Sequence, residues 1–272
     1  MQKIKFDVFK ALFDKNLTLC EVDFILALAR VQDERGCVYG MHYAEMMDLT
    51  GMSIQSFYNC INSLEKKEII KVVHQNGDYD ITILGNDFSL FSEKDYKNRK
   101  VKYININNGM INDHKFKLLK AKQKLLALQL CNINSASLKK THTIKKANFY
   151  GTYTKLLGVG QRTLRKYLKM LQLFFRIDEK NGSLGFTLRD FFKSKKSEKT
   201  ENQITYERLI NTECRRLKIK ENGRKEEAQI LQILLNCRKK YIKKAVDLPT
   251  VFKRMLQTIN KDRTNKKGGN DI

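Results

Sequence analysis

The chain has 272 residues, 42% of them hydrophobic, which is enough for two or three small folded domains. Its 53 Lys and Arg residues against 29 acidic ones give a net charge of +24, and such repulsion within a compact state indicates a polyanionic partner. No apolar stretch approaches the roughly 20 residues of a membrane span, and the first residues lack the pattern of a signal peptide. We therefore expect a nucleic-acid partner, no membrane insertion, and a cytoplasmic, nucleoid-associated protein.

The charge is distributed unevenly along the chain. Residues 1–90 contain 9 basic and 13 acidic side chains, residues 91–190 contain 22 and 6, and residues 191–272 contain 22 and 10. The first part is therefore net acidic (−4), whereas the other two carry +16 and +12. A general preference for Lys would not leave the first part acidic, so the basic bias belongs to the later parts of the chain.

The six cysteines and four histidines form no metal-binding pattern. No C-x-x-C pair is present, and no histidine falls near a cysteine pair. The chain also contains neither a G-x-x-x-x-G-K-[ST] phosphate loop nor a G-x-G-x-x-G that follows a strand. We predict free thiols in a reducing compartment, no metal, no cofactor and no enzymatic activity.

Taken in chain order, the first part predicts one small domain. Thr18 is a helix N-cap residue, and apolar residues at helical spacing continue to about residue 32. A loop and a short strand follow, then a helix over 42–49 and a third helix that Ser53 caps. Asn76-Gly77 between two strand-like runs is the strongest short-range signal of a β-hairpin.

The same order of elements returns in the second part. A helix is predicted over 118–131, a short strand within 142–149, and a second helix over 151–157. After a turn at 158–160, the third helix is predicted over 161–174, and Asn181-Gly182 marks the second hairpin.

The two parts align without a gap through the turn and the third helix. Residues 49–64 match residues 156–171, so that Gly51 lies over Gly158. The apolar residues Phe57, Ile61 and Leu64 match Leu164, Leu168 and Leu171. Agreement of core spacing, turn glycine and hairpin turn indicates a tandem repeat.

Helix, short strand, helix, turn, helix and hairpin together form the winged-helix plan, in which the third helix reads the major groove and the hairpin is the wing. We therefore predict a mainly α protein with small β-hairpin wings. It consists of two tandem winged helix-turn-helix domains, 1–90 and 91–192, followed by a basic helical C-terminal region, 193–272.

The outward face of the second repeat's third helix is the predicted DNA-reading surface. Once the leucines are placed inward, the helical period leaves Arg162, Arg165, Lys166 and Lys169 outward. Such cations suit a groove lined by phosphates and by the O6 and N7 atoms of guanine. The full set of predicted contacts to double-stranded DNA is Gln161, Arg162, Thr163, Arg165, Lys166, Lys169, Lys145, Lys146, Lys180 and Asn181.

The matched face of the first repeat supports two interpretations. It carries Gln55, Tyr58, Asn59 and Asn62, and His74 lies on its predicted wing. Gln and Asn can pair with adenine edges, but the domain is net acidic, and phosphate attraction supplies the basis of DNA affinity. This surface is therefore either a second DNA reader or a surface for a protein partner or a homodimer.

The first repeat, LTLCEVDFILALARVQ (17–32) and HYAEMMDLTGMSIQSFYNCINSLEKKEIIKV (42–72), resembles bacterial winged-helix regulators. The layout of both repeats is similar to tandem winged-helix DNA-binding proteins of low-GC Gram-positive bacteria and their mobile elements, including Rep-type plasmid replication initiators. In that family the second domain makes most DNA contacts and the first mediates dimerisation or repression. The resemblance covers residues 15–190 and implies the same division here.

Three functions follow as hypotheses. A transcriptional regulator would bind one or a few operators through the second repeat. A plasmid or phage replication initiator would bind origin repeats and recruit replication proteins through residues 1–90 or the C-terminal helices. A non-catalytic scaffold would use its winged helices to bind protein alone, without salt-dependent DNA binding.

Overall fold

The structure is a computed structural model that describes residues 2–75, 78–92, 94–95, 101–106, 109–111, 113–136 and 141–189. The predicted C-terminal region, 193–272, and the turn at Asn76-Gly77 lie outside the described residues. The described part is a mixed α and β structure with small antiparallel sheets. It begins with strand β1 (Lys3–Lys5) and helix α1 (Phe6–Asp14), which the sequence patterns did not predict.

The first repeat follows the predicted order. Its elements are α2 (Leu19–Val31), β2 (Cys37–Met41), α3 (Tyr43–Thr50), α4 (Ile54–Lys66), β3 (Ile70–Gln75) and β4 (Asp78–Ile83). Thr18 caps α2, and its hydroxyl accepts a hydrogen bond from the amide of Glu21. Ser53 caps α4 in the same way, accepting from the amide of Ser56. Both predicted caps are confirmed.

A short connection leads to the second repeat. It contains β5 (Tyr103–Asn105) and the one-turn helix α5 (His114–Lys117). The repeat itself comprises α6 (Ala121–Ala136), β6 (Thr141–Lys145), α7 (Lys146–Leu157), α8 (Gln161–Leu171), β7 (Phe175–Lys180) and β8 (Ser183–Leu188). The order of elements from α2 to β4 is thus repeated from α6 to β8.

Four predicted helix boundaries in this repeat are wrong, and one of them is the end of the first helix, which lies at Ala136 rather than at Cys131. The first helix begins at Ala121 rather than at 118, because α5 precedes it and the amide of Lys120 donates to Gln123 Oε1. The second begins five residues earlier than predicted, at Lys146, because burial of Phe149 and Tyr150 extends it through the exposed Gly151. The third ends at Leu171 rather than at 174, because the amides of Leu173 and Phe174 donate to the carbonyls of Met170 and Leu171 in a closing turn and β7 begins at Phe175.

The two three-stranded sheets have the same topology, β2-β4-β3 in the first repeat and β6-β8-β7 in the second. In the second sheet the central strand β8 pairs antiparallel with both neighbours. Asn181 and Gly182 join β7 to β8 with φ values of 49° and 69°, the left-handed pair that a two-residue type I′ hairpin turn requires. The predicted second hairpin is confirmed.

Contacts divide the described chain into two units. The first comprises 2–38, 43–72 and 81–189, and the second contains 39–42 and 73–80. Both sets of three helices therefore belong to the first unit. The predicted domain boundaries near residues 90 and 192 stay a prediction.

Within the first unit, the repeats meet where α2 packs against α6, a contact that we call the seam. Most residues of both helices are buried. Lys124 of α6 is 1% exposed and forms an ion pair of 2.5 Å with Asp23 of α2. The seam thus joins helices about one hundred residues apart in sequence, and it includes an ion pair between the buried Lys124 and the half-buried Asp23.

The N-terminal strand adds a second connection. β1 pairs antiparallel with β5, so the start of the chain is bonded to the segment between the repeats. Asn86, fully buried, accepts from the Lys5 amide at 2.7 Å and donates to Gln32 Oε1 at 2.8 Å and to the Lys3 carbonyl at 3.2 Å. The segment after β4 is therefore fixed to β1 and to the end of α2.

Glu21 connects the start of α2 to the end of α4. Its carboxylate accepts from Thr18 N at 2.6 Å, from Ser63 Oγ at 2.6 Å and from Lys67 Nζ at 2.8 Å. Burial by itself raises the pKa of this carboxyl, but the hydrogen bonds from Lys67, Ser63 and Thr18 outweigh it and lower the pKa below its ordinary value.

This shift predicts how stability depends on pH. Because the folded pKa lies below the unfolded value of 4.5, the contribution of Glu21 is complete above pH 4.5 and is lost as the pH falls through the folded pKa. We expect Glu21→Gln to lower the free energy of unfolding at pH 7 by about 1–3 kcal/mol and to flatten its pH dependence below pH 4.5. Urea unfolding at several pH values tests this, with Glu34→Gln, at an exposed residue, as control. If the free energy of unfolding of Glu21→Gln depends on pH below 4.5 as that of the wild type does, the prediction is refuted.

Two glycines provide a matched test of packing after α2 and before α4. Gly36 and Gly51 have almost the same φ, 77° and 78°, but a Cβ on Gly36 would lie 2.9 Å from the Asn86 carbonyl oxygen, and one on Gly51 would meet nothing within 4 Å. We expect Gly51→Ala to cost about 1–2 kcal/mol for the left-handed backbone. Gly36→Ala should cost about 1–3 kcal/mol more because of the collision. Equal losses in urea unfolding would contradict the described contact.

Candidate nucleic-acid interface

Helix α8 separates its apolar and charged residues onto opposite sides. Leu164, Leu168 and Leu171 are buried. Thr163 and Tyr167 are half-buried, and burial raises the pKa of the Tyr167 hydroxyl. The exposed residues of the other side include Gln161, Arg162, Arg165, Lys166 and Lys169. The predicted contacts on this helix therefore share one exposed surface, apart from the partly covered Thr163.

Glycines shape the turn that precedes α8. Gly158 ends α7 in the left-handed conformation (φ 57°, ψ 47°), and the amides of Gly158 and Val159 donate to carbonyls of the last turn of α7. Gly160 occupies the N-cap of α8 and supplies no side-chain hydrogen bond to its first turn. Because the helix dipole is positive at this end and Arg162 lies in the same turn, the start of α8 favours an anion.

Arg165 has an aromatic neighbour that sequence reasoning missed. Its guanidinium carbon lies 5.8 Å from the centre of the Tyr150 ring of α7, within the range of a cation–π contact. Tyr150 is 8% exposed and packs edge-on against Phe149 at 5.7 Å between ring centres. A fixed ring beneath the guanidinium restricts its positions, which favours planar recognition. The run of aromatic residues in α7 was the signal available in the sequence.

Carboxylates are absent from the sequence around this surface, and the two described ones that follow it are paired. Between Lys146 and Ile177 the sequence contains neither Asp nor Glu. Glu179 of β7 forms an ion pair with Lys146 at 2.6 Å, and Asp178 forms one with Arg176 at 3.2 Å. Lys146, a predicted phosphate contact, therefore already has a negative partner.

The other predicted contacts of the wing lie together at its tip. Lys145 of β6 and Lys180 of β7 both pair with Ser183 of the central strand, from opposite sides. Both lysines and Asn181 are exposed. The register of the sheet thus places one lysine on each side of Ser183, next to the hairpin turn.

The equivalent helix of the first repeat, α4, presents a different surface. Gln55, Tyr58, Asn59 and Asn62 are exposed, and Gln55 Nε2 donates to Asn59 Oδ1 at 3.0 Å. Ile54 is 44% exposed at the start of the helix. At the positions matched to the cations of α8 this face carries no charge.

His74 lies in the second unit, whereas α4 belongs to the first. Its side chain is exposed, and its ring packs edge-on against Tyr79 at 4.8 Å between ring centres. The predicted grouping of His74 with Gln55, Tyr58, Asn59 and Asn62 therefore stays a prediction.

Two other kinds of site have no support among the described residues. In the part of the chain that the structure describes, His, Cys, Asp and Glu side chains form no group of three that could hold a metal ion. None of the helices in the described ranges is both long and apolar enough to cross a membrane.

Comparisons with protein-family models, with curated proteins and with solved structures found no match to this chain.

Proposed function

We propose that the protein binds double-stranded DNA and that α8 enters the major groove. The observation that carries this proposal is the surface of α8: Arg162, Arg165, Lys166 and Lys169 are all exposed opposite buried leucines, without a carboxylate from 146 to 177. A surface that concentrates cations in this way has a strong attraction for a polyanion, and release of condensed counterions from DNA supplies the free energy of association.

The order of elements supports the interpretation of each repeat as a winged helix. A first helix, a short strand, a helix-turn-helix and two neighbouring strands are present twice, with the same strand order in both sheets. In this arrangement the third helix of each repeat, α4 or α8, is the element that lies in the groove, and the hairpin contacts the flanking backbone. We infer two tandem winged helix-turn-helix units from this layout.

Each cation of α8 has a role that its chemistry suits. Arg162 and Arg165 carry planar guanidinium groups that can bond the O6 and N7 atoms of guanine together. Lys166 and Lys169 are point charges suited to phosphates, as are Lys145 and Lys180 at the wing tip. Gln161 and Asn181 can add contacts to bases or to the backbone.

The uncharged face of α4 supports a division of labour between the repeats. It offers amide and aromatic groups but no counterion release, so it contributes little non-specific affinity. We propose that the second repeat supplies most of the affinity, while α4 serves a protein partner or adds base contacts.

We favour a transcriptional regulator. A replication initiator is the alternative that shares the same tandem layout. A genomic binding map distinguishes them, because a regulator occupies one or a few operators and an initiator occupies tandem repeats beside its gene.

The reading helix can be tested by a pair of matched double variants. We expect Arg162→Ala/Arg165→Ala to weaken specific binding about 30-fold or more, since each bidentate pair contributes roughly 1–3 kcal/mol. The slope of log K against log salt should change less than it would on loss of a lysine that contacts a phosphate, because both arginines are assigned to bases.

Gln55→Ala/Asn59→Ala, on the equivalent face of α4, is the control and should have a smaller effect. The affinity and the salt slope are both measured by fluorescence anisotropy at several salt concentrations, with a DNA site taken from the genomic binding map. Unchanged affinity and specificity in the arginine variant would show that α8 is not the reading helix. Wild-type protein without salt-dependent DNA binding would favour the scaffold.

Removal of the ion pair at the wing is expected to raise the affinity for DNA. Glu179→Gln removes the carboxylate from Lys146 Nζ and leaves that lysine available to a phosphate. We expect tighter DNA binding and a salt slope steeper by up to about 0.9. Glu34→Gln changes the net charge equally but lies in the first repeat; an equal gain there would show that overall charge, rather than the wing, is responsible.

A further inference from the structure

A small pocket opens at the seam and is lined by both repeats. Its polar lining comes from Asp23 and Arg30 of α2, Thr50 of α3, Lys117 of α5 and Lys124 of α6, and Phe116 contributes an apolar wall. Three cations and one carboxylate therefore surround the space. None of these residues belongs to the exposed face of α8.

Lys124 and Asp23 neutralise each other. Their ion pair is 2.5 Å long, and the Lys124 ammonium also lies 5.6 Å from the centre of the Phe116 ring. Burial raises the pKa of the Asp23 carboxyl, against the attraction of Lys124 and Lys117. The one carboxylate of the pocket is thus committed to Lys124, which leaves the charges of Arg30 and Lys117 in excess.

Arg30 is the unusual member of this group. It lies two helical turns along from Asp23, is half-buried, and burial lowers the pKa of its guanidinium. Among the described residues, none accepts a hydrogen bond from it or forms an ion pair with it. A guanidinium has five N–H donors, so a half-buried Arg30 beside this pocket has donors to offer to a ligand that carries acceptor oxygens.

We propose that the pocket binds a phosphate-sized oxyanion, held by the Arg30 fork and the Lys117 ammonium. The cavity volume of about 50 Å³ has room for roughly three to five water-sized groups, which is the size of one phosphate group. Arginine bonds phosphate in a planar, two-point geometry, and lysine adds a point charge. The bound group would contact the first repeat and the connection that leads to the second.

The phosphate can come from a small molecule or from the DNA backbone, and two measurements on the full chain separate these sources. The first titrates inorganic phosphate into the free protein at constant ionic strength and follows Tm and the calorimetric Kd. For a small-molecule site we expect phosphate to raise the Tm of the wild type, and Arg30→Gln to weaken the Kd at least about tenfold. Arg35→Gln, an exposed arginine just after the same helix, is the matched control and should bind as the wild type does.

The second measurement follows the salt slope of DNA binding in phosphate-free buffer. If the backbone supplies the group, Arg30→Gln lowers the slope by about 0.9 while inorganic phosphate leaves the Tm of the free wild type unchanged. Arg30→Lys keeps the charge and loses the fork, so it should fall between wild type and Arg30→Gln in whichever measurement responds.

Stability without ligand provides a readout that a purely structural arginine would not match. Because Arg30 has no described partner, Arg30→Gln should leave the Tm in phosphate-free buffer unchanged or raise it. A lower Tm there, or a variant that keeps both the phosphate affinity and the DNA salt slope of the wild type, would overturn the proposal. The phosphate titration uses free protein, so it stands even if the wild type fails to bind DNA.

Discussion

The positions of α4 and α8, the third helices of the two repeats, depend on how the first helices, α2 and α6, pack against each other. α6 packs against α2 and also against β5, β6, β8 and α8, so it is the support on which the second repeat rests. At the seam Lys124, 1% exposed, contacts Asp23 at 2.5 Å. A buried pair of this kind adds little net stability over an apolar contact, but separating the charges is expensive. The pair therefore penalises any other register of α2 against α6, and with it any other placement of α8.

The repeats share a backbone plan and differ in what they expose. Phe57, Ile61 and Leu64 fill the positions in α4 that leucines fill in α8, so the core-facing sides are equivalent. The outward sides are not, because one carries amides and a tyrosine while the other carries four cations. The fold accordingly says little about function by itself, and the proposal of DNA binding rests on the chemistry of one helical face.

Charge is compensated in some places and left uncompensated in others. The wing acids of the second repeat are paired with Arg176 and Lys146, and Glu21 has three donors. The cations of α8 have no carboxylate nearby in sequence, and Arg30 has no partner among the described residues. Uncompensated like charges reduce stability, and this is why we propose that a ligand, rather than the fold, supplies the opposite charge at these surfaces.

The sequence by itself predicted what neighbouring residues decide. The caps at Thr18 and Ser53, the Asn181-Gly182 turn and the outward face of α8 follow from hydrogen bonds and periodicity within one element. Only the tertiary structure decided the pairing of β1 with β5, the start of α7 before Gly151, the burial of Lys124 against Asp23 and the position of Arg30, which has no partner among the described residues. These features depend on groups that are as much as about a hundred residues apart, and a lysine or a three-residue strand carries no local signal of the partner that the fold will bring to it.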